Sequence, residues 1–333
     1  MIKGALLLLT LTTSIVLGMD LSWPTDDTSF WQGAPIHSFI QPAASGTTES
    51  GLFGYARNSG TKFHEGIDIK PKKRDRKGEA TDKILAAIDG HVVHINTIAG
   101  NSNYGKYIVI LHEDLQPQIY TLYAHLSNIE PNLKIGKKVR SGETIATMGR
   151  SSSGSPIPKT RAHLHFEMGL MLSENFQKWY NTQKFGTPNK HSIWNGFNLT
   201  GFDPLDFYTQ WKNGKITNVN DYFKQFPVAF SLRIFDTIIP NFIKRYPSLA
   251  TKPIDPKTLK GWDIDFTWFA LPFRWTPLYG ETKTNKTQPP ILTAYNSNIF
   301  TQHNCSDTIT LKVNKTPIHG KVLKKTLNLL FEH

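Results

Sequence analysis

A single cysteine, Cys305, stands in 333 residues. No disulfide can therefore close within the chain, and stability has to come from packing and from any bound metal. No histidine motif lies near Cys305 to hold a thiolate, so it reads as a small buried apolar residue rather than a nucleophile. Long apolar runs are missing too. The run from Ala5 to Leu17 is about a dozen residues, short of the about 20 that cross a bilayer. With Met1-Ile2-Lys3 before it and Gly18 after it, residues 1–18 have the form of a secretory leader, and the mature chain is expected to begin near Met19 or Asp20. No cysteine follows that junction, which argues against a lipid anchor there. No internal repeat or long low-complexity tract interrupts the rest.

Acid is scarce relative to base. Asp and Glu number 26 against 38 Lys and Arg, a net charge of +12, with 39% hydrophobic and 12% aromatic residues to build one large core or two ordinary ones. The surplus is uneven: residues 211–333 hold 17 Lys+Arg against 8 Asp+Glu, or +9, and the preceding residues hold 21 against 18, or +3. Such a surplus attracts polyanions nonspecifically, and for an exported chain these are anionic membrane or wall polymer rather than nucleic acid. Plain solubility is the competing reading.

The chain divides by composition. Residues 19–50 are rich in Pro, Ser, Thr and Gly and read as an extended arm over a domain that spans 51–210. Short apolar or alternating segments follow at Ile84 to Ile88, His91 to Asn96, Tyr107 to His112, Ile119 to His125, Thr144 to Met148 and His163 to Gly169. Their spacing predicts a mainly β, antiparallel sheet. Flanking helices are expected from Glu174 to Gln183, capped by Ser173, and from the Asp203-Pro204 start to about Gly214. The basic, aromatic-rich region 211–333 has no readable fold, and Leu323 to Phe331 looks strand-like or weakly helical.

Two motifs carry chemistry: His163-Leu164-His165, and about a hundred residues earlier His64-Glu65-Gly66-Ile67-Asp68. With 12 histidines and 16 aspartates, each spacing arises by chance about half a time, so context has to decide. On an extended strand, residues i and i+2 share a face, which puts both imidazoles together and turns Leu164 into a core. Catalytic zinc takes about three nitrogen or oxygen ligands and keeps one position open. His64, Asp68 and His165 supply such a set, on which a water would ionise at a pKa of about 7. His163 faces the same cavity without needing to bind the ion. His125, in Tyr123-Ala124-His125-Leu126-Ser127, is another histidine at a predicted strand end.

From about Gly54 to Phe207 the sequence resembles the lysostaphin-type zinc endopeptidases that cut peptidoglycan peptides. The resemblance is carried by Phe63-His64-Glu65-Gly66-Ile67-Asp68, Ala87-Ile88-Asp89-Gly90-His91-Val92, Tyr123-Ala124-His125-Leu126, Ile135 to Glu143, Met148-Gly149-Arg150-Ser151 and Ala162-His163-Leu164-His165-Phe166-Glu167. It implies that His64, Asp68 and His165 hold one zinc ion, and that His125 and His163 flank the water and the scissile carbonyl, the base and the oxyanion partner being either way round. It implies a groove across a lipoyl-like, duplicated-hybrid-motif β core, peptidoglycan as the substrate, and a place in the periplasm or at the cell surface.

The chain also departs from that pattern. Ser151 to Arg161 is longer and richer in proline than the usual turn before the His-x-His strand, and it carries Lys159 and Arg161. The charge run Lys70 to Lys77 and everything after about Trp211 lie outside the family core. The charge run is a solvated loop or a rim for an anionic substrate. Glu167, two residues after His165, reads as a supporting rather than a reacting group. Two other functions compete: a wall-binding activator or scaffold without turnover, and a lipoyl or biotinyl carrier built on the 136–143 hairpin, which lacks the carrier tripeptide.

Overall fold

Alternation along residues 84–169 does produce short antiparallel strands, and the fold is mainly β. The computed structural model describes residues 19–57, 62–280, 289–303, 308–311 and 317–331. The leader expected at 1–18 and Cys305 lie outside the described residues. The larger sheet runs in the order Leu199–Phe202, Leu164–Met171, Ile119–Ala124, Tyr107–His112, Gly90–Asn96, Lys138–Val139, every neighbour antiparallel. The strand Ile67–Ile69 joins the N-terminal half of Leu164–Met171, on the edge that Leu199–Phe202 occupies further along. A second sheet of Lys83–Leu85, Thr144–Thr147 and Asn128–Ile129 completes this part.

The core lies under the face that carries Ile67, Ile69, Ile108, Ile110, Tyr123, Leu164 and Phe166, all fully buried. All eight residues of Leu164–Met171 are buried, so this strand is covered on both faces, and its polar members His165 and Glu167 must find partners inside the protein. The stretch expected to be an arm is part of the same core. Trp23 stacks on Phe30 at 4.5 Å, and Phe39 and Tyr208 close the cluster edge-on. The Tyr208 hydroxyl donates to the Ser22 carbonyl, tying the helix Pro204–Lys212 to it.

That helix starts as its sequence predicts, with Asp203 accepting from the Leu205 and Asp206 amides and proline at the first turn. The preceding helix differs: it is Phe176–Thr182 with Asn175 at its N-cap position, because the Ser173 hydroxyl is taken by the Asn175 amide in a local turn. Beyond residue 211 a four-stranded antiparallel sheet runs Pro272–Leu278, Gly261–Phe266, Phe230–Ile234, Ile291–Tyr295. The final segment is a helix, Lys321–Phe331, with Leu323, Thr326, Leu327 and Leu330 buried. Their spacing of three and four residues marks a helix face, not a strand.

This region is seated on the first part. Trp268 and Phe269 pack against Phe63, the residue before His64, and Tyr246 donates its hydroxyl hydrogen near the Met171 carbonyl while accepting from the Met171 amide at 3.0 Å. Several of its cations are spent on carboxylates: Arg233 on Asp263, Arg274 on Asp265 and Arg245 on Glu174. Among the described residues no helix is long and apolar enough to cross a membrane.

Candidate metal centre

The centre forms where three elements meet on the strand Leu164–Met171. Asp68 and His165 are directly opposed in the ladder between Ile67–Ile69 and that strand, so their side chains share a face. His64 reaches the same point from a segment pinned to residues 52–55: its amide donates to the Tyr55 carbonyl and its carbonyl accepts from the Gly54 amide. Between His64 and Asp68 the chain passes so close to the neighbouring strand that a Cβ on Gly66 would stand 2.2 Å from the Phe166 carbonyl oxygen. Only glycine fits between the two ligands of this motif.

Three ligand atoms form a near-equilateral triangle. His64 Nε2 is 3.0 Å from Asp68 Oδ1 and 3.1 Å from His165 Nδ1, which is 3.1 Å from Asp68 Oδ1. Atoms about 2.0–2.1 Å from a tetrahedral zinc ion stand about 3.3 Å apart, so the triangle fits that ion with almost no rearrangement. Among the described residues this is the one group of three or more such side chains gathered closely enough. Each imidazole is also oriented from behind. His64 Nδ1–H donates to the Leu52 carbonyl at 2.8 Å, and His165 Nε2–H donates to Glu167 Oε1 at 2.9 Å. These bonds fix the tautomers that leave a lone pair facing the centre.

Glu167 is itself held by two phenols: Tyr104 donates to Oε1 at 2.6 Å and Tyr120 to Oε2 at 3.0 Å. Sequence reading placed Glu167 beside the site but missed both tyrosines, because neither stands within a recognisable motif. The charges make the centre a sink for a cation. Burial alone would raise the Asp68 carboxyl, but the imidazoles of His64 and His163 and a hydrogen bond from His165 outweigh it and hold Asp68 well below the usual carboxylate range. Burial would lower His165, yet Asp68 and Glu167 push it up to about 10. A divalent cation meets that demand for positive charge and leaves the ring neutral.

His125 and His163 stand beside this triangle, half-buried, with ring centroids 4.8 Å apart. His163 Nε2 is 3.5 Å from Asp68 Oδ1, while its Nδ1–H donates to the Arg161 carbonyl at 2.7 Å. His125 follows the strand Ile119–Ala124 and donates its Nδ1–H to the Ser151 carbonyl at 2.8 Å. Both therefore present an unprotonated Nε2. Burial lowers both pKa values, that of His125 well below the ordinary histidine range, so both are neutral at physiological pH. The backbone of His125 is left-handed, φ 61°, a conformation that non-glycine residues rarely take.

Four other histidines lie apart from the centre. His91 faces Glu113, and His112 donates to the Asp89 carbonyl with Nε2 at 2.9 Å from the Thr121 hydroxyl. His94 and His191 are buried side by side against Tyr107. Of the eight tryptophans, Trp23, Trp194, Trp262, Trp268 and Trp275 are buried and serve packing.

Comparison with known proteins supplies a family for this region. Residues 62–176 match peptidase family M23. The chain is similar in part to solved structures: a putative glycyl-glycine endopeptidase lytM from Ruminococcus gnavus, 26% identical over 32% of this chain and 39% of that one, TM-score 0.26. The catalytic domain of lysostaphin from Staphylococcus simulans is 18% identical over 52% of this chain and 95% of that one, TM-score 0.32. Csd3 of Helicobacter pylori is 27% identical over 45% and 32% respectively, TM-score 0.29. The chain thus spans less than half of the first and third of these proteins. No curated protein matches it.

Proposed function

We propose, taking as premise that residues 62–176 are a lysostaphin-type domain of peptidase family M23, that the protein is an exported zinc metalloendopeptidase that hydrolyses peptide bonds in peptidoglycan cross-links or stem peptides. The observation that carries the reading is the triangle of His64 Nε2, Asp68 Oδ1 and His165 Nδ1, 3.0–3.1 Å on each side, with the two imidazoles oriented from behind. Zinc held by those atoms supplies Lewis acidity, making water acidic near neutral pH and polarising a carbonyl.

The chain's own residues do the rest. His125 and His163, both neutral with Nε2 free, can accept the proton of the attacking water and return it to the leaving amine. As one becomes protonated, the nearby Asp68 carboxylate favours the charge, and the second ring is left to donate toward the developing oxyanion. Glu167 with Tyr104 and Tyr120 keeps His165 from rotating. Periplasmic or cell-surface residence goes with peptidoglycan as the substrate.

The test is elemental analysis for zinc, then digestion of purified peptidoglycan with mass spectrometry of the released fragments. His125→Ala and His163→Ala should keep their zinc and lose about a hundredfold or more in kcat. Full activity in both variants, or wild-type protein that neither binds zinc nor gains turnover from it, overturns the reading.

A further inference from the structure

The charge run Lys70 to Lys77, with Gly78 and Glu79 after it, is joined to the loop 151–161, and that loop is joined to the two site histidines. Ser151, at one end of the longer loop, gives its carbonyl to His125, and Arg161, at the other end, gives its carbonyl to His163. The loop thus leaves the site beside one histidine and returns beside the other. Its flank is locked to the charge run: Arg74 donates to the Lys159 carbonyl at 2.8 Å, and Lys159 donates to the Lys77 carbonyl at 2.8 Å. Glu79 lies at the joint, gripped by Arg150 through two bonds of 2.8 and 3.0 Å and by Lys159 at 3.2 Å.

The charges of this wall do not cancel. Residues 70–79 and 150–161 contain nine Lys and Arg against Asp75 and Glu79. Lys70, Lys72 and Lys73 are drawn away, toward the His37 and Ser38 carbonyls and the carboxylates of Asp27 and Asp26. Asp75 is used on the Lys77 and Glu79 amides. Arg74 donates only to carbonyls, and Arg76, Lys77 and Arg161 make no side-chain hydrogen bond or ion pair among the described residues. Arg74, Arg76 and Lys77 are exposed, and Arg161 is half-buried two residues from His163.

Four cations without a carboxylate partner, Arg161 on the loop that leaves and returns at the two histidines and Arg74, Arg76 and Lys77 on the loop braced against it, call for anionic groups on a ligand held at this edge of the site. We infer that loops 70–79 and 151–161 form a cationic wall that receives carboxylates of an acidic peptide substrate, so that the enzyme selects peptides with free carboxylates over their amidated forms. The inference rests on the peptidase reading for the identity of the ligand as a peptide. A general polyanion surface is disfavoured by the bracing, which fixes the wall beside two histidines instead of spreading it over a face.

The test uses the full zinc-loaded chain and a fluorescent hexapeptide in two forms, one with two free carboxylates and one with both as carboxamides. At low salt the acidic form should bind about tenfold more tightly, the sum expected of two exposed ion-pair contacts, and the advantage should shrink with added salt. The Arg76→Gln/Arg161→Gln double variant should reduce the advantage to about twofold without changing zinc content or affinity for the amidated peptide. The Lys257→Gln/Lys260→Gln double variant, at two exposed positions in the C-terminal region, controls for net charge and should leave it intact. Equal wild-type affinities, or an advantage unchanged in the double variant, overturn the wall. A preference that persists without cleavage of either peptide or of purified peptidoglycan leaves the wall standing and overturns the peptidase instead.

Discussion

Single residues at this centre work through what stands behind them. Glu167 shares a carboxylate among His165, Tyr104 and Tyr120, so Glu167→Gln replaces one acceptor oxygen with a donor facing a phenol or an imidazole N–H. Zinc affinity should fall by about 10–100-fold, read by chelator competition, with the circular dichroism spectrum unchanged. A different histidine contributes to the response to acid. Burial holds His112 at about 4, below its ordinary value, so the unfolded chain takes up a proton that the folded chain refuses. Its contribution is complete above the unfolded pKa of about 6.5 and is lost as pH falls toward 4, amounting to about 2 kcal/mol between pH 7 and pH 5. Urea midpoints at the two pH values should show that loss, and His112→Gln should show less of it. At this scale the sequence was legible where chemistry sits in side chains: the two histidine motifs, read with the segments around them, brought His64, Asp68 and His165 together, as the structure does. The Leu52, Ser151 and Arg161 carbonyls that orient three of the histidines have no such code, because every residue carries the same acceptor.

Among elements, strands were easier to read than what joins them. Period-two alternation predicted His91 to Asn96, which has one buried face, and a short apolar run predicted Tyr107 to His112, which is buried on both, almost to the residue. The loop 98–106 gave no warning of its role, yet Gly105 passes so near the 151–161 loop that a Cβ there would meet the Ser151 carbonyl oxygen at 2.2 Å, with φ at 63° besides. That oxygen is the one that holds His125. Gly105→Ala should therefore cost about 1–3 kcal/mol of stability by denaturant titration. It should also lower kcat for peptide hydrolysis well beyond what partial unfolding explains, with zinc still bound at one per chain. The aromatic segment Phe266 to Phe269 was unreadable for a simpler reason: its partners, Phe53 and Phe63, lie some two hundred residues away in sequence.

The whole molecule has one large buried cluster and a smaller one around Tyr107, Tyr120, Leu122 and Trp194. Residues of the stretch 23–50, of the central sheet and of the C-terminal sheet and helix belong to a single buried cluster. Removing residues after Trp211 would strip Trp268 and Phe269 from Phe63, Tyr246 from Met171 and Tyr222 from Phe202. Each large apolar side chain so exposed loses roughly 1.5–3 kcal/mol, and a few exceed the stability of an ordinary domain. The truncated chain is expected to be largely unfolded by circular dichroism and thermal melting; a cooperative transition at the wild-type temperature would contradict the dependence of the central sheet on this shared packing. The basic surplus of this region was legible, but its arrangement was not, because pairing such as Arg233 with Asp263 depends on strand register.

His125 keeps its imidazole over the centre at the expense of an unfavourable main-chain twist, φ 61° in a residue with a Cβ. Asparagine tolerates that twist more readily and still offers an amide hydrogen to the Ser151 oxygen. A search for heat-resistant variants scored on melting alone would thus be drawn to His125→Asn, and would bring home a sturdier protein that has stopped working.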